Sequence, residues 1–312
     1  MQKDTKNRPP DEAQGYYGPD TITWQLYREP LFVFGGIRAL LLQVAHPSVA
    51  DGVARFSQFK TDPFGRGYRT FAAMATLYFG TKTHAQKTAQ RLRQLHAGIR
   101  GETPQSYTAN DPDLLCWVFA TLTDTTLQVY TKLPVKDLPG DWQERFYEES
   151  RIAAALLGIP DAYYPPDLPA FERYFSGMLQ GDLLGSRPVC REVAQSIVGH
   201  PRAPGRLTRL LATGWLPPAI CQKLGLVPDE RAAGRMDRWL KRMFRVYQFI
   251  PEFFRCNPAY RQACYRLAVA EGVKPAPAER FYHFLTQRMR IPLALPKADS
   301  QRKVVLRSLL IN

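Results

Sequence analysis

Apolar positions recur along this chain at helical spacing, and from Thr21 onward such stretches follow one another closely. Glu29-Pro30 opens a helix that carries LFVFGGIRALLLQVA and stops at His46-Pro47, since a residue before proline is pushed out of the helical region. A second helix fits Ser48 to Phe59. TDPFGRG reads as a turn, with Asp62 as a cap and Pro63 able to take the first helical position, and a third helix runs from about Gly67 to Phe79. Thr83 to Ile99 is a fourth, with Leu92, Leu95, His96 and Ile99 on one face and Gly101 as its stop. Asp111-Pro112 starts DLLCWVFATLTDTTLQVY by the same device. After a loop at 134–141 come Gln143 to Leu157, ended by Gly158 and Pro160, and then Ala170 to Gly181. Residues 205–215, 218–224, 229–250 and 258–271 read as further helices. Strand alternation is scarce, and RPVCREVAQSIVGHP is the one region open to an extended reading.

No repeat and no low-complexity segment interrupts this pattern. The expectation is an all-α protein with a single large helical domain over 21–290, a flexible N-terminal arm at 1–20 laid over it, and a basic C-terminal tail at 291–312. The most apolar run, Leu31 to Ala45, contains Arg38. It is shorter than the roughly 20 residues that a bilayer span needs, so it reads as a buried helix. The N-terminus is polar and lacks the apolar core of a secretory signal, which gives a cytoplasmic reading.

Charge changes the picture in one respect. The net charge is +14 and the pI about 9.7, and basic residues lie close to apolar segments. A solvated basic surface is the plain reading, and peripheral contact with an anionic membrane is the next. Nucleic acid is not expected as a partner: there is no zinc-finger spacing, RNP-like aromatic motif or Gly-rich phosphate loop. The five cysteines form no C-x-x-C and read as free buried thiols.

The chemistry concentrates between Gly35 and Gly101. His96, on an apolar helix face, is either a core histidine or an axial ligand, because imidazole is neutral at physiological pH and binds iron through one ring nitrogen. Arg66, Arg69 and Thr70 share a helix face by spacing. They form either a solvated basic first turn or a polar edge over a pocket, holding a propionate or orienting bound oxygen. His46 ends an apolar helix, as a cap or as a pocket residue, with Asp51 one turn on as a potential partner. His84, His200 and His283 read as surface or structural groups, and Glu148 and Glu149 with Arg145 and Arg151 as a surface ion-pair ladder. No Ser-His-Asp elbow, H-E-x-x-H or G-x-G-x-x-G supports a hydrolase, zinc-protease or dinucleotide reading.

GGIRALLLQVAHPSVADGV, FKTDPFGRGYRT, LHAGIRG and DPDLLCWVFATL, in this order, resemble the MpaB/rubber-oxygenase family, whose best-known members are the latex-clearing proteins. YEESRIAAALLGIP, WLPPAICQKLGL and IPEFFRCNPAYR extend the resemblance over roughly residues 25–265. It implies a globin-like helical core around one haem b (iron). His96 matches the proximal ligand, and Arg66, Arg69 and Thr70 match the distal catalytic motif. His46, Arg66 and Arg100 complete the expected cofactor-binding set. The latex-clearing proteins carry lysine where Arg69 stands, and that lysine can cap the iron. Arginine does not readily lose its proton to do so. Phe119 stands where many relatives carry histidine, with Thr121 beside it. Ala50 lies near the place of the acidic residue proposed as base in rubber cleavage, so rubber itself is a poor expectation. The implied activity is an oxygenase that uses O2 to cleave a C=C bond in a small apolar substrate such as a prenyl or lipid chain. A peroxidase-like enzyme, a non-catalytic haem-binding protein and a cofactor-free helical adaptor are the alternatives.

Overall fold

Proline in the first turn opens one helix after another, where its missing N–H costs nothing. The computed structural model describes residues 13–57, 63–102, 105–133, 138–199, 209–210, 212, 214–227 and 230–289. Within these, the helices are α1 (Ile22–Tyr27), α2 (Gly36–Ala45), α3 (Pro47–Phe56), α4 (Pro63–Phe79), α5 (Lys82–Ala97), α6 (Pro112–Lys132), α7 (Trp142–Leu157), α8 (Leu168–Gln180), α9 (Pro188–Val198), α10 (Pro218–Lys223), α11 (Glu230–Tyr247), α12 (Glu252–Arg255), α13 (Pro258–Ala270) and α14 (Pro277–Met289). A 3-10 turn at Pro30–Gly35 and a two-stranded hairpin, with Arg100 opposite Thr108 and Gly101 opposite Tyr107, complete an all-α fold.

Helix α6 is the centre of the core. It buries Trp117, Phe119 and Ala120 together with four threonines, Thr121, Thr123, Thr125 and Thr126. Each threonine hydroxyl has a partner: Thr121 donates to Val118 O, Thr126 to Leu122 O, Thr123 meets the Tyr164 hydroxyl, and Thr125 accepts from Arg38 Nη1. A buried hydroxyl without such a bond would be costly. The same Arg38 pairs with Asp124 at 2.5 Å and donates to Trp215 O, which ties α2 and α6 to residue 215. Gly35 permits this approach, because a Cβ there would stand 2.3 Å from Thr125 Cγ2.

Several boundaries differ from the sequence expectation. The first helix splits: Pro30–Gly35 is 3-10, and only Gly36–Ala45 is α. Helix α4 begins at Pro63 rather than Gly67, so RGYRT lies inside it. Helix α5 ends at Ala97 with Gly98 as its cap, and Gly101 belongs to the hairpin instead of stopping the helix. The described part of RPVCREVAQSIVGHP is not extended: Pro188 starts α9, and Cys190, Val193, Ala194 and Val198 bury one face at helical spacing. Asp62 and His200 lie outside the described residues, as do the tail at 291–312 and much of 205–215.

Residues 13–20 are strapped to the bundle. Arg266 on α13 donates to Ala13 O and to Phe79 O, and the buried Tyr17 donates to Glu149 O. Glu149 is not part of a surface ladder: its carboxylate accepts from Ile22 N and Thr23 N, the orphan donors at the start of α1. Arg151 likewise turns to the carbonyls of Pro165 and Pro166.

Candidate functional site

The α2–α3 break is set by His46-Pro47. His46 takes an extended conformation (φ −75°, ψ 125°), and the helices on either side bend by 106°. Its ring is buried, and Nδ1 has no hydrogen-bond partner. Desolvation pushes the imidazole pKa down to about 4, so the ring is neutral. The expected partnership with Asp51 is absent. Asp51 faces the hairpin, where Oδ2 accepts from the Tyr107 hydroxyl at 2.7 Å and meets Arg55 at 3.3 Å.

His96 lies in the last turn of α5, partly buried. A helix C-terminus favours imidazolium, but desolvation prevails here and lowers the pKa. Leu92, His96 and Ile99 are each partly covered, whereas Leu95 is exposed and leaves the expected face. Beyond His96 the chain turns into the hairpin and then α6: Ala109 N donates to Ile99 O and Asn110 Nδ2 to Arg93 O. Helix α6 therefore begins beside the end of α5. It presents a similar half-covered apolar stripe, Leu115, Val118 and Leu122, next to its fully buried residues. Helix α3 reaches the same corner at Gly52, where a Cβ would lie 3.4 Å from Ile99 Cγ2.

Arg66, Arg69 and Thr70 occupy the start of α4. The Arg66 side chain lies outside the described residues. Arg69 is partly buried and Thr70 exposed; both make interactions of their own, on the face that continues into the buried Ala73 and Leu77. Helices α4 and α5 are joined by only Gly80 and Thr81. From Lys82 to His96 the rise is about 21 Å, and the same rise back from Phe79 reaches Gly65 and Arg66. The backbone of Arg66 therefore stands about as far along α4 from this tight connection as His96 does along α5, while Arg69 and Thr70 lie nearer to it, at about 15 and 13.5 Å. Arg100 is exposed, and its Nε donates to Ala97 O, which serves the carbonyl end of α5. Phe119 is buried against Tyr164 with ring centroids 5.7 Å apart, and Thr121 also accepts from Gln43 Nε2.

No group of three His, Cys, Asp or Glu suited to a metal ion occurs among the described residues. A single neutral imidazole on a half-covered apolar face is a different donor set, and it suits a metal that brings its other ligands in a macrocycle. The residues present thus fit a haem. A cavity of about 330 Å³ opens at the start of α9, but none of the expected site residues lines it. Sequence reasoning missed the Asp51–Tyr107 bond and the α6 stripe. The Gly101 beside Tyr107 was the available signal for the first, since a Cβ on Gly101 would come within 2.5 Å of Asp51 Oδ2.

One family model, described as the catalytic domain of ER-bound oxygenase mpaB/B' and rubber oxygenase, matches residues 24–249. Two proteins, each named only as uncharacterized, are relatives: one from Mycobacterium bovis and one from Mycobacterium tuberculosis. Each is 26% identical over 222 residues, covering 66% of this chain and 85% of its own. No solved structure matches the chain.

Proposed function

The chain belongs to the family of the ER-bound oxygenase mpaB/B' and rubber oxygenase catalytic domain, and from that premise we propose a haem b-dependent oxygenase that cleaves a C=C bond of an apolar, prenyl- or lipid-like substrate with O2. The family is one of oxygenases, which makes the chain an oxidoreductase in general terms. The observation that carries the finer reading is the state of His96: a half-buried ring in LHAGIRG whose pKa burial lowers, so that it is neutral, on a helix end that also carries the half-covered Leu92 and Ile99.

When bound, haem supplies redox chemistry at iron and a place for O2. The rest falls to the chain. His96 would hold the iron through the lone pair of its neutral imidazole. Arg66, His46 and Arg100 are the groups that would hold the cofactor around it. The Arg69 guanidinium would donate hydrogen bonds to a bound ligand instead of ligating the iron, while the Thr70 hydroxyl would add a second donor. Leu92, Ile99, Leu115 and Leu122 provide apolar surface on which an alkene chain is held and water is displaced. A peroxidase-like oxidation is the second reading, favoured by a guanidinium donor at Arg69 in place of lysine.

The test is the visible spectrum of protein produced with haem supplied, beside His96→Ala. A b-type Soret band that is lost or strongly shifted in the variant is expected. Absence of a band in the wild type after reconstitution refutes the reading. O2 consumption with an alkene then separates oxygenase from peroxide-dependent dye oxidation.

A further inference from the structure

Helix α11 is amphipathic in an unusual sense. Its inner face buries Met236, Leu240 and Phe244 at i, i+4 and i+8. Its outer face carries Arg238, Lys241, Arg242 and Arg245, all exposed. Of the acids described near it, Asp237 meets Lys132 at 3.3 Å and Glu252, in the turn beyond, meets Arg261 at 3.2 Å, so each is offset by its own cation and the outer face stays cationic. At its C-terminal end the same face runs into apolar side chains that should be covered. Val246 is 67% exposed, Phe249 85%, Ile250 40% and Phe254 70%. This tip is firmly held. Tyr247 donates to Arg255 O, and the Phe253 ring lies 4.9 Å from Phe254 and 5.3 Å from Phe281 on α14.

We propose that this tip docks on an anionic lipid bilayer, with the Val246–Phe254 turn entering the headgroup boundary and the α11 cations resting on lipid phosphate and carboxylate groups. Large exposed aromatics beside a lysine- and arginine-rich face are what interfacial binding requires. Charge argues against the other occupants. A second copy brings another +14, and residues 291–312 bring Lys297, Arg302, Lys303 and Arg307 against Asp299, so both would set like charge against α11. The proposal stands independently of the oxygenase reading, because neither the surface nor its test involves His96 or haem.

The experiment is flotation of the full chain with vesicles of phosphatidylcholine, alone and mixed with phosphatidylserine, at low and high salt. Binding to the mixed vesicles only, weakened by salt, is expected. Arg242→Gln with Arg245→Gln lowers the partition coefficient roughly thirtyfold. Phe249→Ser with Phe254→Ser lowers it roughly a hundredfold. Both pairs lie on the surface, and unchanged far-ultraviolet circular dichroism confirms their fold. Three results each overturn the proposal: no binding to the mixed vesicles, binding indifferent to the phenylalanine pair, or a wild-type dimer in sedimentation that the phenylalanine pair dissociates.

Discussion

His46 makes the stability of this protein depend on pH in a calculable way. In the unfolded chain its imidazole titrates near the ordinary 6.5; in the fold, burial lowers this to about 4. Between those values the unfolded state binds more protons than the native state, so stability rises with pH across the window. The contribution is fully present above the unfolded value and disappears as the pH falls through the folded one. A shift of this size corresponds to about 3 kcal/mol at 1.36 kcal/mol per unit. His46→Gln removes the titration. Urea unfolding of both proteins at steps between pH 4 and pH 7.5 isolates the histidine, since all other groups cancel in the difference. Wild-type stability should fall about 3 kcal/mol further than that of the variant on going from neutral pH to pH 4. A difference that stays flat across this range would falsify the account of His46 as a buried neutral ring.

Other substitutions test other contacts. Desolvation raises the Asp124 carboxyl despite Arg38 at 2.5 Å, so burial outweighs the ion pair. Asp124→Ala, which strands the buried arginine, should therefore cost about 3–5 kcal/mol in urea melts, while Arg38→Met with Asp124→Leu costs far less; equal losses would contradict this. Gly101→Ala forces a Cβ into the Asp51–Tyr107 bond and should cost about 1–3 kcal/mol. Gly52→Ala, with 3.4 Å of clearance to Ile99, should leave the melting temperature unchanged or raised. Arg69→Lys supplies an amine able to lose its proton, so the Soret band of the haem-loaded variant should move toward a six-coordinate form as pH rises, whereas the wild-type band stays in place.

Helix identity was legible because it rests on local chemistry. Proline after Glu29, His46, Asp111 and Asn257 marks four helix starts, and the apolar spacing from Leu114 to Tyr130 marks the core helix. What failed was non-local. Gly101 looks like a helix stop, but its true role is to admit Asp51 from a helix fifty residues upstream, across a hairpin too short to alternate. Glu149 looks like one rung of a charged ladder, yet its carboxylate serves two amides of α1 that are more than a hundred residues away. Periodicity cannot register such partners.

The candidate site divides along the same line. His96 stands out because its motif is local, yet the periodicity that placed it on an apolar face also placed Leu95 there, and Leu95 is exposed. Amphipathic spacing marks a stripe about 100° wide, and a helix lining an incompletely covered face uses only part of it. The α6 residues are harder still to see. Leu115, Val118 and Leu122 are ordinary core residues by type, and they differ from Trp117 or Ala120 only in being half covered. That property belongs to what surrounds α6 and not to its sequence. Ala109 bonds Ile99 one turn from His96, so the half-covered residues at the end of α5 lie near the start of α6. Apolar surface left open beside a neutral nitrogen donor has a cost in water that a haem at this corner would remove. The His96→Ala spectrum is therefore also a test of why this corner is left incompletely packed.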